Sequence, residues 1–191
     1  MKTKIGLVLL LLALPSVVQA HEVGNSGGFM SGLSHPVLGL DHLLAMISVG
    51  ILSAQMGGRA VWTVPSAFVG VMLVGGLMGI YGIPLFSVEL GIALSVMVLG
   101  IAIAADKRLP MLFAMIAVGF FALFHGHAHG TEMPELADPA LYALGFIIGT
   151  ALIHIVGVGI GLISKTVSFG PQLLRYVGAG IAGIGFHIAT M

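Results

Sequence analysis

The chain has 191 residues, 58% of them hydrophobic and 7% charged, with a mean hydropathy of +1.14 and a formal net charge of zero. A soluble domain carries about 25% charged residues, so the polar surface is too small for a water-facing globule and the composition describes a membrane protein. The balanced charge, without a basic run, argues against a nucleic-acid partner, and the lack of cysteine excludes disulfides, thiolate metal sites and cysteine nucleophiles.

Residues 1–20, MKTKIGLVLLLLALPSVVQA, open with Lys2 and Lys4 and continue with a short apolar core from Ile5 to Leu14. Pro15 ends that core, and Val18-Gln19-Ala20 offers small residues where a signal peptidase cuts. This reads as a cleaved secretory signal peptide, because the core is short for a span of about 20 residues. Cleavage after Ala20 makes His21 the new N-terminus, where a free amine and an imidazole can chelate a metal together.

Six further stretches are long enough to span: Pro36–Gln55, Ala60–Tyr81, Pro84–Ala104, Leu109–His129, Pro139–Ile163 and Pro171–Ala189. Backbone groups in lipid must be satisfied internally, so these are predicted as helices. The basic residues after the signal peptide, Arg59, Lys107, Arg108, Lys165 and Arg175, fall in or beside the first, third and fifth connections. The fourth connection carries Glu132, Glu135 and Asp138. By the positive-inside rule the odd connections face the cytoplasm, which agrees with an exported N-terminus. The expectation is an all-α bundle of six transmembrane helices over residues 21–191, a single domain with both ends periplasmic, in a bacterial inner membrane. Close glycines such as Gly145-xxx-Gly149 and Gly157-x-Gly159-x-Gly161 imply tight helix packing. No convincing repeat relates the first three helices to the last three.

The first stretch contains HPVLGLDHLLAM, residues 35–46. With Pro36 in the first helical turn, His35 stands at the helix mouth. His42, seven residues on, returns to nearly the same face, and Met46 follows one turn below it. Asp41 beside them would cost at least about 2.5 kcal/mol in a membrane helix without a partner.

FHGHAHGTE, residues 124–132, closes the fourth stretch with three histidines and a glutamate. On a helix His125 and His129 are about 6 Å apart on one side, with Glu132 a turn further. His127 is rotated about 200° from His125 and is expected to be solvated, as are Glu135 and Asp138. Gly126 and Gly130 leave room for a close neighbour and for the helix end to unwind. With the expected topology, His35, Asp41, His42, His125, His129, Glu132, Glu89 and His187 all fall toward the outer side, and His154 lies deeper. Two histidine–carboxylate constellations at one depth point to a metal site. Imidazole and carboxylate without thiolate suit Ni²⁺, Co²⁺, Zn²⁺ or Cu²⁺ and disfavour Cu⁺. Met46 and His187 are candidates for a relay, as is His154, although His154 and His187 also suit ordinary packing between helices.

At these motifs the chain resembles the hydrogenase/urease accessory membrane protein family (HupE/UreJ), regarded as nickel permeases. That family's HPxxGxDH motif stands here as His35-Pro36-Val37-Leu38-Gly39-Leu40-Asp41-His42, and its FHGxAHGxE motif as residues 124–132, both complete. The resemblance covers essentially the whole chain and implies a signal peptide, about six helices and nickel as the cargo, with cobalt preferred in some relatives.

The expected function is uptake of Ni²⁺ for nickel-enzyme maturation by a transporter that is not an enzyme. No GxxxxGK[ST] phosphate loop is present for ATP. His21 and His35 are expected to capture the ion. Asp41, His42, His125 and His129 are expected to hold it, with Glu89 and Glu132 beside them. Protons compete for these nitrogens, so binding should weaken as pH falls through about 6.5. The competing class is an intramembrane zinc-dependent hydrolase, although HExxH does not occur. A third is a metal sensor without transport. The partners are a divalent metal ion and the lipid bilayer. The path is compatible with one bundle or with a homo-oligomer.

Overall fold

The computed structural model describes residues 28–135 and 137–191. The expected signal peptide and His21 lie outside the described residues. Seven helices follow in chain order: α1 Gly28–Leu38, α2 Leu40–Met56, α3 Ala60–Ile80, α4 Val88–Ala105, α5 Met111–Thr131, α6 Pro139–Ser164 and α7 Gly170–Ala189. There is no strand among the described residues.

Helices α3, α4, α5 and α6 are each long and apolar enough to cross a membrane, and α1 with α2 adds a fifth span if the bent pair counts as one. The sixth expected stretch is helical as α7, but Gln172, Arg175 and His187 dilute its apolar character. The described helices therefore supply four to five candidate spans.

The first expected helix, Pro36–Gln55, is corrected. The chain is already helical from Gly28, so Pro36 sits inside α1 near its end rather than in a first turn. The helix then breaks at Gly39, and α2 leaves at 84° to α1. Gly39 is extended, with φ −92° and ψ 120°, and its carbonyl accepts from Leu43 N to start the new helix. Proline interrupts the hydrogen-bond ladder and glycine tolerates the close quarters. A Cβ at Gly39 would stand 3.0 Å from both Asp41 Oδ1 and His42 Nδ1. The break therefore leaves room for the two residues that follow it.

Small residues bring the remaining backbones together in pairs. Gly75 and Gly79 of α3 lie against the α5 backbone at Leu123 and His127, while Gly126 and Gly130 of α5 lie against Met72 and Gly76 of α3. Gly32 of α1 meets Tyr142 of α6, and Gly145 of α6 meets Phe29 of α1. Gly50 of α2 and Gly157 of α6 approach one another, as do Gly100 of α4 and Gly178 of α7. Helix α2 is central, with Ala45, Met46, Val49, Ile51 and Leu52 in the core beside Phe68, Met72 and Val96.

Two basic side chains close helix ends. Lys165 Nζ donates to Ala54 O at 2.6 Å near the C-terminus of α2, and Arg175 Nε donates to Ala104 O at 2.9 Å near that of α4. Cations complement the partial negative charge of helix C-termini.

Candidate metal centre

The bend at Gly39 places His35 at the end of α1 and His42 in the first turn of α2, both against the same residue of α5. The His129 ring lies 4.8 Å from the His35 ring and 4.3 Å from the His42 ring, centroid to centroid. The His42 ring also lies 4.7 Å from that of His125. The expectation that His35 and His42 share one helical face is overturned: they reach the cluster from two helices.

Helical spacing on α5 holds as expected. His125 and His129 point the same way and are buried, at 0% and 3% exposure. The helix does not unwind at Gly126 or Gly130 but continues to Thr131. His127 faces elsewhere, as the rotation requires, but it is not solvated. It is buried, and its Nε2 donates to Ile83 O at 2.8 Å, tying α5 to the α3–α4 connection. Asp138 caps α6 by accepting from Leu141 N at 2.9 Å.

The hydrogen-bond network assigns the ring protons. Asp41 Oδ1 accepts from the His42 amide at 2.8 Å and from His42 Nδ1 at 2.9 Å. A carboxylate only accepts, so the His42 proton sits on Nδ1 and the Nε2 lone pair is free. Ser95 Oγ of α4 donates to Ile92 O at 2.6 Å, so it accepts from His125 Nε2 at 2.8 Å. The free lone pair of His125 is therefore on Nδ1. His42 Nε2, His125 Nδ1 and both nitrogens of His129 are buried without a hydrogen-bond partner among the described residues. A buried polar atom left unpaired costs about 1–3 kcal/mol, and such groups in a native fold call for an explanation. Neutral imidazoles with free lone pairs are metal ligands.

At the rim, His35 Nε2 and Glu132 Oε2 lie 3.0 Å apart. Ligand atoms of His35, His129 and Glu132 all fall within 4.8 Å of one another, a group able to hold a cation. Glu132 is exposed, His35 partly so and His129 buried, so the set runs from the surface into the bundle. Tyr142 and Phe146 form its wall. The Phe146 ring is 4.4 Å from that of His129, and Tyr142 Oη donates to His129 O at 3.3 Å.

The other expected ligand and relay residues make no hydrogen bond to the cluster among the described residues. Glu89 is exposed in the first turn of α4, and no hydrogen bond or ion pair joins it to the cluster among the described residues. His187 is exposed in the last turn of α7. Met46 is fully buried in the apolar core. His154, at 2% exposure, has neither nitrogen paired among the described residues, and its ring packs against Phe68, which also lies against His125. Sequence reasoning missed Ser95, Tyr142, Phe146 and Phe68. Its standing as the one hydroxyl residue in α4 was the available signal for Ser95.

Fold and site together define a multi-pass helical membrane protein with a buried imidazole cluster and a carboxylate at its rim. The HupE / UreJ protein family model matches residues 9–188, and the chain is 44% identical over 183 residues to Protein HupE of Rhizobium leguminosarum bv. viciae, covering 96% of this chain and 95% of that one. The chain therefore belongs to the HupE/UreJ family of hydrogenase and urease accessory membrane proteins. No solved structure matches it.

Proposed function

We propose that the chain is a secondary transporter that takes up Ni²⁺, with Co²⁺ as the alternative cargo, across the bacterial inner membrane for nickel-enzyme maturation. The observation that carries this reading is the set of free lone pairs on His42, His125 and His129, below a rim formed by His35 and Glu132. Family membership supports it, because the HupE/UreJ family is associated with nickel and cobalt uptake.

In this reading the signal peptide is removed, α7 completes six spans, and both ends face the periplasm. His21 and the His35–Glu132 pair meet the ion first. The ion then exchanges water for the imidazoles of His129, His42 and His125, while Asp41 and Ser95 hold two of those rings in the tautomer that ligation needs. Inward movement of two positive charges is favoured by about 4.6 kcal/mol per 100 mV of membrane potential, twice the single-charge value. That driving force removes the need for a nucleotide. No observation favours the zinc hydrolase.

The test is accumulation of radiolabelled nickel in cells making the wild type, His42→Ala or His129→Ala at equal membrane abundance. Uptake by the wild type that collapses in both variants is the expected result. Wild-type protein that inserts and binds nickel but accumulates none would overturn the reading.

A further inference from the structure

The Phe68 ring packs against two histidines that belong to different helices. Its ring centroid is 5.6 Å from that of His125 on α5 and 5.2 Å from that of His154 on α6, edge-on to the latter at 90°. The ring is fully buried, at 0% exposure. His154 also borders an open, mainly apolar groove between α3 and α6, beside Trp62, Pro65, Ser66, Ala151 and Ile155. His154 is the titratable group in that lining, and both of its nitrogens lack a hydrogen-bond partner among the described residues.

We propose that Phe68 is the barrier residue of the transport path, a ring that separates the outer imidazole cluster from an inner station at His154. The proposal rests on the transport reading above. An aromatic ring between two imidazoles offers the cation no lone pair, and a desolvated divalent ion cannot cross it in place. Movement of the ring or of its helical turn is therefore required for each passage. Local structure permits that movement. Pro65, one turn before Phe68 and inside α3, cannot donate to the carbonyl of Val61, which weakens the helix at this level. On one side α3 packs backbone to backbone with α5, whereas on the other its Trp62, Ser66 and Gly70 border the open groove. His154, with both nitrogens unpaired among the described residues, would receive the ion once the ring has moved.

The full chain in proteoliposomes tests this, with initial influx of radiolabelled Ni²⁺ and the Kd for Ni²⁺ measured on the same preparations. Phe68→Ala and Phe68→Leu are expected to raise influx, and Phe68→Trp to lower it about tenfold, as for a step that gates turnover. The Kd should stay near the wild-type value in all three, because the outer cluster is intact. A merely structural ring would give losses in every variant, and Leu and Trp carry the test if Ala fails to fold. Unchanged influx in all three, or loss in all three, overturns the barrier and leaves the transport reading standing. Wild-type protein that binds Ni²⁺ and carries none overturns both.

Discussion

His42 Nδ1 lies 2.9 Å from Asp41 Oδ1, and the same oxygen accepts from the His42 amide. The carboxylate is thus engaged with its neighbour, and the His42 Nε2 lone pair is the atom left facing His129 and His125. Asp41 orients the His42 ring in this geometry. Asp41→Asn is expected to lower nickel affinity by about 10–100-fold, the usual effect of removing a group that orients a ligand histidine. His42→Ala should cost more. Calorimetric titration of the purified variants checks the order. Equal losses would mean that Asp41 itself ligates.

Ser95 performs the same service for His125 with a hydroxyl. Ser95→Ala leaves the buried Nε2–H of His125 without an acceptor, at a cost of about 1–3 kcal/mol. The expected result is a lower thermal midpoint in detergent together with weaker nickel binding. Ser95→Thr keeps the hydroxyl and should recover most of both. If alanine binds nickel as tightly as the wild type, the tautomer assignment at His125 is wrong.

The two glutamates expected near the site differ in their partners. Glu132 faces His35 at the rim, whereas Glu89 is exposed in the first turn of α4 and makes no hydrogen bond or ion pair to the cluster among the described residues. Glu132→Gln should raise the KM for nickel uptake several-fold with a smaller change in maximal rate, because it acts at capture. Glu89→Gln should leave both parameters unchanged. A loss of uptake in Glu89→Gln would place that carboxylate on the path after all.

Helix approach provides a structural test. A methyl group at Gly126 would collide with Met72 O and the Gly76 backbone, whereas one at Gly183 meets nothing within 4 Å. Gly126→Ala should therefore force α5 away from α3, destabilise the bundle by about 1–3 kcal/mol or more, and displace His125 and His129. Gly183→Ala should be neutral. Thermal unfolding in detergent, followed by nickel uptake, distinguishes the two.

Acid should weaken binding. An imidazole nitrogen that holds a proton cannot hold a metal, so each proton displaced on binding makes the Kd rise as pH falls. Nickel affinity is expected to drop between about pH 7.5 and about pH 5.5, with protons released on binding at intermediate pH. Titrations in two buffers of different ionisation enthalpy measure that release. A Kd independent of pH over that range would mean that the ligating imidazoles are neutral throughout it, with no proton to displace.

Much of the site was legible because α5 is regular. His125 and His129 are one turn apart on any helix, and the opposite placement of His127 follows from the same rotation. The burial of His127 did not follow, since its acceptor is the carbonyl of Ile83 in a connection far along the chain. His35 and His42 were placed together for the wrong reason. Seven-residue spacing implied one continuous helix, but the chain bends by 84° between them and the two rings meet through His129.

What the sequence determined by itself was the local and compositional part: helices forced by lipid, ligand types set by side-chain chemistry, and the two motifs that mark the family. These depend on residues close in the chain or on bulk apolarity, so periodicity exposes them. The tertiary structure alone decided the bend at Gly39, the hydrogen bonds of Asp41 and Ser95 to the His42 and His125 rings, and the packing of Phe68 against both His125 and His154. Each of these depends on how separate helices pack, and hydrogen bonds and ring contacts between distant residues leave no period in the sequence to read.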